Sequence, residues 1–156
     1  MEGARLAVAG DARRIAELCG AGRDELRAPR GGDLFLRRES PAARTPAGLI
    51  ARLGRPDQSA WVGTLQDQVV GYGLGQVEHL DNGVVHGVVE ELYVEPRARG
   101  VGVGEAVMEC LVVWFTDQGC AGVDAMALPG NREVKAFLES SGFKARLIVL
   151  YRPLVS

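Results

Sequence analysis

The sequence predicts a mixed α/β fold: an antiparallel meander, then a β-α-β crossover, with helices on both faces of the sheet. Three observations point there. Residues 60–94 hold three apolar runs separated only by tight polar turns, so their strands run antiparallel. An apolar pattern of helical period over 104–119 then leads to another apolar run at 121–128. A connection of that length joins parallel strands, with a right-handed hand. A second helical pattern, 131–142, starts at Asn131 and ends at Gly142. No repeat, low-complexity tract or linker divides the 156 residues, so one domain spanning 1–156 is expected.

In chain order, "ARLAVA" (4–9) reads as a short strand. Gly10 breaks it and Asp11 is placed to cap a helix over "DARRIAELCGAG", where Ile15, Leu18 and Cys19 recur at helical spacing. Residues 27–33 read as a loop. "LFLRRE" (34–39) fits either a short strand or an apolar patch within a mobile segment. At 45–54, Thr45 caps a short helix, Pro46 takes its first position and Gly54 ends it. The meander follows: 60–65, a turn at "QDQ", 69–80, a turn at "DNG", and 84–94. Residues Asp81 to Gly83 tolerate positive φ, and Pro96 ends the third strand because it cannot donate to a ladder. In the 104–119 helix Val107, Met108, Leu111, Val112 and Phe115 share a face. Residues 121–128 read as a buried strand. Val134, Phe137 and Leu138 face inward from the next helix, and 144–154 form a last strand.

Composition bounds the function. Apolar residues make up 47 % and charged residues 24 %, as in ordinary globular proteins. A net charge of −2 gives no basic footprint, so nucleic acid is not an expected partner. The three cysteines, Cys19, Cys110 and Cys120, are an odd number without a CxxC spacing. They read as reduced thiols, neither a disulfide framework nor a metal site. No run approaches the ~20 apolar residues of a membrane span, and no signal-peptide pattern opens the chain. A cytoplasmic protein is expected.

One stretch calls for chemistry. "VEPRARGVGVGEA" (94–106) places Arg97, Arg99, Gly100, Gly102 and Gly104 between the third strand and a helix. First-turn N–H groups of a helix have no internal partners, and the helix dipole favours an anion there. Glycines let a phosphate approach the backbone, and Arg99 adds a charged donor. The plainer reading is that Gly102 and Gly104 only make a tight turn. A Walker loop is excluded because no Lys follows the glycines. A dinucleotide fingerprint is excluded because the turn follows an antiparallel meander.

With its flanks, "EELYVEPRARGVGVGEAVM" resembles the acetyl-CoA site of the GCN5-related N-acetyltransferase (GNAT) family. The motif of that site, Arg/Gln-x-x-Gly-x-Gly/Ala, matches here from Arg99 to Gly104. "NREVKAFLESSGF" (131–143) is similar to that family's second motif at Asn131, Phe137, Gly142 and Phe143. The resemblance covers 60–150 well and the N-terminal part only in outline. It implies the acyl-CoA N-acyltransferase fold and acetyl transfer from acetyl-CoA to a primary amine, with no metal. It also implies site residues. The pyrophosphate of CoA would sit on the N–H groups of Arg99, Gly100, Val101, Gly102, Val103 and Gly104. Backbone groups of Leu92 and Val94, on either side of Tyr93, would pair with the pantetheine arm. That arrangement requires strands 84–94 and 121–128 to splay. Asn131 and the helix bearing Phe137 would flank the arm.

Transfer to an amine needs a group that takes the amine's proton and a donor to the thioester carbonyl. Glu90 and Glu91 are the candidate bases. Strict alternation puts Glu90 on the face of Leu92 and Val94, and Glu91 with Tyr93 on the other, which favours Glu90. Both also fit solvated strand-edge charges. The N–H of Val94 is the expected oxyanion donor. Leu138 stands where the family often has Tyr, so the leaving-group acid is unassigned. Tyr93 and Tyr151 are spare phenols that read as core or rim. His79 and His86 read as surface residues, and Trp61 and Trp114 as core anchors. The acceptor, a small molecule or peptide amine, would be shaped by residues 23–47 and 78–86. The arginines of 23–47, Arg44 among them, fit either a solvated loop or a carboxylate-bearing acceptor. An acidic pocket suited to a polyamine or aminoglycoside is not evident. Only one strand follows Phe143 where the family has two, which leaves an edge that a second copy would cover, so a homodimer is an expectation. The alternative function is an acyl-CoA-binding module without turnover.

Overall fold

The computed structural model describes residues 1–40 and 44–155. Five strands lie in sequence order in one sheet: β1 (Glu2–Leu6), β2 (Gln58–Leu65), β3 (Gln68–His79), β4 (Val85–Val94) and β5 (Gly122–Ala125). Pairs from β1 to β4 are antiparallel, and β5 runs parallel to β4. The sheet is therefore mixed, as the turns and the crossover predict. The β2–β3 turn holds Gln66 and Asp67 at φ of 51° and 64°, and the β3–β4 turn holds Asn82 and Gly83 at 64° and 81°.

Among the described residues there are five α-helices: α1 (Ala12–Glu25), α2 (Gly32–Arg38), α3 (Pro46–Leu53), α4 (Val103–Asp117) and α5 (Arg132–Ser140). On one face Ile15, Leu18 and Cys19 of α1 and Leu49 of α3 pack on Ala60, Val62, Tyr72 and Leu74. On the other, Val107, Met108, Leu111 and Phe115 of α4 pack with Val77 and Val89. Trp61 and Trp114 are partly buried against that second cluster, as anchors should be. Glycines in the sheet let α4 come this close. A Cβ at Gly63 would stand 2.5 Å from Val103, one at Gly73 2.6 Å from Val107, and one at Gly87 2.5 Å from Phe115.

The helix over 46–53 forms as its signals predict. Thr45 Oγ1 accepts from the N–H of Gly48 at 3.0 Å, Pro46 opens the helix and Gly54 caps it. Other elements depart from expectation. β1 starts earlier, at Glu2, with Val8 already outside it. Asp11 precedes α1 but does not cap it. Its carboxylate instead accepts from the Val8 N–H at 2.8 Å and from both terminal nitrogens of Arg5 at 2.8 and 3.0 Å. α1 continues through Gly20 and Gly22 to Glu25, and at Gly22 the missing Cβ makes room for the Tyr93 ring. Residues 34–39, expected as a short strand or an apolar patch, belong mostly to the helix α2, which buries Leu36. β5 has only four residues, none of them buried. The strand expected at 144–154 does not form, and that segment is exposed throughout.

Candidate functional site

The geometry turns on one irregularity in β4. In its register with β3, Glu91 faces Leu74 and Val89 faces Gly75, so Glu90 is an extra residue, a β-bulge. Before the bulge, Val89 points toward α4. After it, Leu92 packs in that same α4 cluster, although three positions separate the two. Two consecutive residues, Glu90 and Glu91, are thereby turned to the opposite face, beneath α1 and α3. This corrects the strict alternation expected from sequence. Glu90, Glu91 and Tyr93 share a face, and Leu92 and Val94 lie on the other.

A charged cluster forms around the paired acids. Glu91 is the more enclosed: its Oε1 accepts from Tyr72 Oη at 2.8 Å and lies 3.6 Å from Cys19 Sγ, and its Oε2 accepts from Arg44 Nε at 2.5 Å. Glu90 Oε1 accepts from Arg52, while its Oε2 has, among the described residues, only Arg44 at 3.7 Å. Arg52 is buried and also donates to the carbonyls of Ser59 at 3.1 Å and Gly75 at 2.6 Å. Two guanidinium groups thus balance two carboxylates. Burial would lower the pKa of Arg44, but Glu91 and Glu90 hold it above its ordinary value. Burial, with Glu91 beside it, pushes the Cys19 thiol up to about 12 and raises the Tyr72 phenol as well, so neither is a ready proton donor or nucleophile.

β4 and β5 pair only from His86–Gly122 to Val89–Ala125, and then part. The N–H of Glu95 donates to the Val70 carbonyl at 2.8 Å, toward β3. By alternation, the N–H groups of Val94 and Leu92 point to the side that β5 has left. The expected splay is therefore present, beginning at the bulge. Beside it lies an open cavity of about 380 Å3, lined by Glu39, Gln76, Glu78, Val88, Glu90 and Met126. Three of those six residues are carboxylates, and Glu90 lines the cavity while Glu91 does not. The carboxylates of this acidic pocket, which the sequence left unseen, thus come from three separate segments.

The glycine turn closes the other end. Gly100 and Gly102 adopt φ of 82° and 96°, and Gly102 is the residue before α4. Among the described residues, no acceptor pairs with the N–H groups of Gly100 to Glu105. Arg99 adjoins them but is engaged. Its Nε donates to the Val94 carbonyl at 2.8 Å, and a terminal nitrogen meets both oxygens of Glu25 at 2.9 and 3.0 Å. Its guanidinium lies 5.4 Å over the Tyr93 ring. Burial, and then Glu25, push the Tyr93 phenol up to about 12. Phe137 of α5 packs on the turn, 3.2 Å from where a Cβ at Gly104 would stand. Asn131 caps α5, accepting from Val134 N–H at 3.3 Å. Leu138 packs in the α4 cluster.

Several functional groups were not singled out by sequence reasoning. Arg52 carried one signal: it follows Leu49 by three residues on the buried face of α3. Arg44 stood among the arginines assigned to an acceptor or a solvated loop; instead it meets Glu90 and Glu91 of its own chain. Most arginines of 23–47 likewise find local partners, Arg27 on Asp24 and Arg37 on Asp33. Residues 41–43 of that segment lie outside the described residues. His79 is exposed, but His86 is half-buried, with Nε2 3.0 Å from Asp124 of β5. Among the described residues, no three His, Cys, Asp or Glu side chains gather to hold a metal, and no helix is long and apolar enough to cross a membrane.

Comparison with known proteins agrees with this architecture. The model of the Acetyltransferase (GNAT) family matches residues 25–143. A search of curated proteins found no match. Among solved structures, a mutant of the BH1408 protein from Bacillus halodurans superposes with a TM-score of 0.82 at 19 % identity, over 97 % of this chain and 99 % of that one. AAC(6')-Iy, solved in complex with the bisubstrate analog CoA-S-monomethyl-acetylneamine, gives 0.71 at 18 % identity, over 99 % of each chain. Glucosamine-6-phosphate N-acetyltransferase from Arabidopsis thaliana gives 0.69 at 22 % identity, again over 99 % of each.

Proposed function

Because the chain belongs to the GNAT acetyltransferase family, we propose that it transfers an acetyl group from acetyl-CoA to a primary amine of a small molecule or peptide. The observation that carries this reading is the departure of β5 from β4 at the Glu90 bulge, between a cavity with carboxylates and a turn with unpaired N–H groups. The residues present fit the cosubstrate. The N–H groups of Gly100 to Gly104 suit a diphosphate, with Arg99 beside them. The backbone edges of Leu92 and Val94 suit the amides of an extended arm, and Asn131 and Phe137 border its other side. When bound, acetyl-CoA supplies the activated acyl group.

The chain's own groups then divide the work. Glu39, Glu78 and Glu90 attract a cationic amine into the cavity. Oε2 of Glu90 is the carboxylate oxygen with room to take the amine's proton, directly or through water. Glu91, with both oxygens engaged, positions Arg44 and Tyr72. The N–H of Val94 donates to the carbonyl oxygen as it gains charge. Solvent protonates the leaving thiolate, because Leu138 has no proton to give.

The test is thiol release from acetyl-CoA across a panel of diamines, polyamines, amino acids and peptides. Turnover with amines of two or more positive charges is expected. The substitution of the usual Tyr by Leu138 favours one other reading, an acyl-CoA-binding module. Saturable CoA binding without release of thiol on any amine would establish that reading in place of the enzyme.

A further inference from the structure

Arg44 reaches both acids of the bulge with one guanidinium. Its Nε donates to Oε2 of Glu91 at 2.5 Å, and its Nη2 faces Oε2 of Glu90 at 3.7 Å. That Nη2 is buried and has no hydrogen-bond partner among the described residues. The gap to Glu90 is roughly 0.8 Å longer than an N–H···O hydrogen bond. A buried donor without a partner is costly, so its place opposite a carboxylate needs a physical reason. The backbone that carries Arg44 is anchored. The next residue, Thr45, caps α3 by accepting from the Gly48 N–H, and its carbonyl accepts from the Leu49 N–H. Glu91 anchors the side chain, and a guanidinium is planar and rigid. Nη2 therefore stands at a set point opposite Glu90.

We propose, on the reading of Glu90 as the base, that Arg44 is a positioning residue for acetyl transfer: its Nη2 fixes the direction in which the Glu90 carboxylate is presented to the acceptor amine. Arg52 does not supply that direction by itself. It holds Oε1, and a carboxylate held at one oxygen pivots about its last torsion, whose preference is broad. A second guanidinium opposite Oε2 limits the pivot and keeps the carboxylate in one plane. The bulge creates the arrangement, since the extra residue is what brings Glu90 and Glu91 to the same face, within reach of one arginine. Arg44 itself moves no proton. Burial favours its neutral form, but Glu91 and then Glu90 outweigh burial and keep it charged. The amine's proton goes to Glu90, and Arg44 acts through that carboxylate.

The experiment compares thiol release by wild type, Arg44→Lys and Arg44→Gln, with the amine that wild type uses best. Each rate is divided by the number of CoA sites, counted by titration calorimetry. Lys keeps a positive charge but has no planar fork to face two carboxylates, and Gln has no charge. Both variants should keep the KM for acetyl-CoA, because the glycine turn is untouched. Both should lose kcat per site by roughly tenfold, less than the ~100-fold that a 1 Å misplacement can cost. A merely structural role would lower the number of CoA sites and preserve the rate at each, and that result overturns the proposal. So does an Arg44→Lys variant equal to wild type in kcat, which reduces Arg44 to a counter-charge. Failure of both variants to fold overturns it too, because Arg44 would then serve the fold first. A wild type that binds CoA and releases no thiol on any amine removes the acetyl-transfer reading, and this proposal with it. An active wild type with variants at its rate removes the proposal alone.

Discussion

Arg52 and Glu90 meet between α3 and the bulge of β4, where a buried guanidinium holds one oxygen of a carboxylate that lines the cavity. One side chain therefore ties the second layer of helices to the candidate base. Arg52 also donates to the carbonyls of Ser59 and Gly75 on adjacent strands, so it holds the bulge against both. Replacing it leaves two carbonyls and one carboxylate without their donor. Arg52→Met should lower stability by about 2 kcal/mol, less than the ~3–5 kcal/mol for a fully buried pair because the Glu90 side chain is partly exposed. Thermal or urea unfolding measures this directly, and a midpoint equal to wild type would remove Arg52 from its bracing role.

The two acids should separate cleanly by substitution. Glu90→Gln is expected to keep CoA affinity and to reduce acetyl transfer roughly a hundredfold. Glu91→Gln should act first on stability, by about 1–3 kcal/mol, since it leaves the Arg44 guanidinium poorly balanced beneath the helices. Paired kinetics and unfolding curves would reveal the opposite assignment if the effects were exchanged.

Arg99 beside the glycine turn is held by a carboxylate of its own chain. Glu25 holds it in the free protein, and the phosphates of CoA would compete for it. Glu25→Gln should release the guanidinium and tighten CoA binding about threefold, a gain of under 1 kcal/mol for a partly exposed pair. Titration calorimetry at low and moderate salt reads the effect. Weaker binding would mean that Glu25 orients Arg99 and does not restrain it.

At Gly102 the backbone lies at φ 96°, and a Cβ would stand 3.4 Å from Cγ of Glu2. Gly102→Val should cost about 1–2 kcal/mol in stability and weaken CoA binding, because the N–H groups before α4 would be displaced. Equal affinity in a folded variant would locate the diphosphate away from this turn.

Acid should loosen the N-terminal strand. The hydrogen bonds from Arg5 hold the Asp11 carboxyl below its usual value, against the desolvation that raises it. A carboxylate with a depressed folded pKa stabilises fully above the unfolded value, ~3.9. That stability is lost as pH falls through the folded value. Asp11→Asn should cost about 1 kcal/mol at neutral pH, a modest figure because Arg5 is half exposed. The gap from wild type should close below roughly pH 4. Chemical unfolding at a series of pH values tests the sign.

The sheet and its order were legible because turn chemistry is local. "QDQ" and "DNG" mark their turns, "DNG" with residues that tolerate positive φ, and the Thr45-Pro46 pair announces its own helix. The bulge was not legible. Alternation through "VVEELYV" reads the same with or without an extra residue, and only the pairing of Val89 with Gly75 and Glu91 with Leu74 reveals it. Arg44 and the cavity carboxylates were hidden for a related reason. Glu39, Glu78 and Glu90 come from a helix end and two strands, and nothing within any one window says they converge. Residues 144–154 show a third limit: they spell a strand, but a strand forms only where a neighbouring ladder is offered.

The extra residue in β4 lets one strand turn two neighbouring carboxylates to the same face while everything downstream keeps step with β3. Deletion of Glu90 would leave Glu91 alternating directly after Val89, so Leu92, Tyr93 and Val94 would keep their faces and their partners on β3. The loss would fall on the bulge alone: Arg52 would have no Glu90 carboxylate to meet, and the cavity would lose one of its three acids. A single codon thus decides whether this strand carries a pair of acids or one.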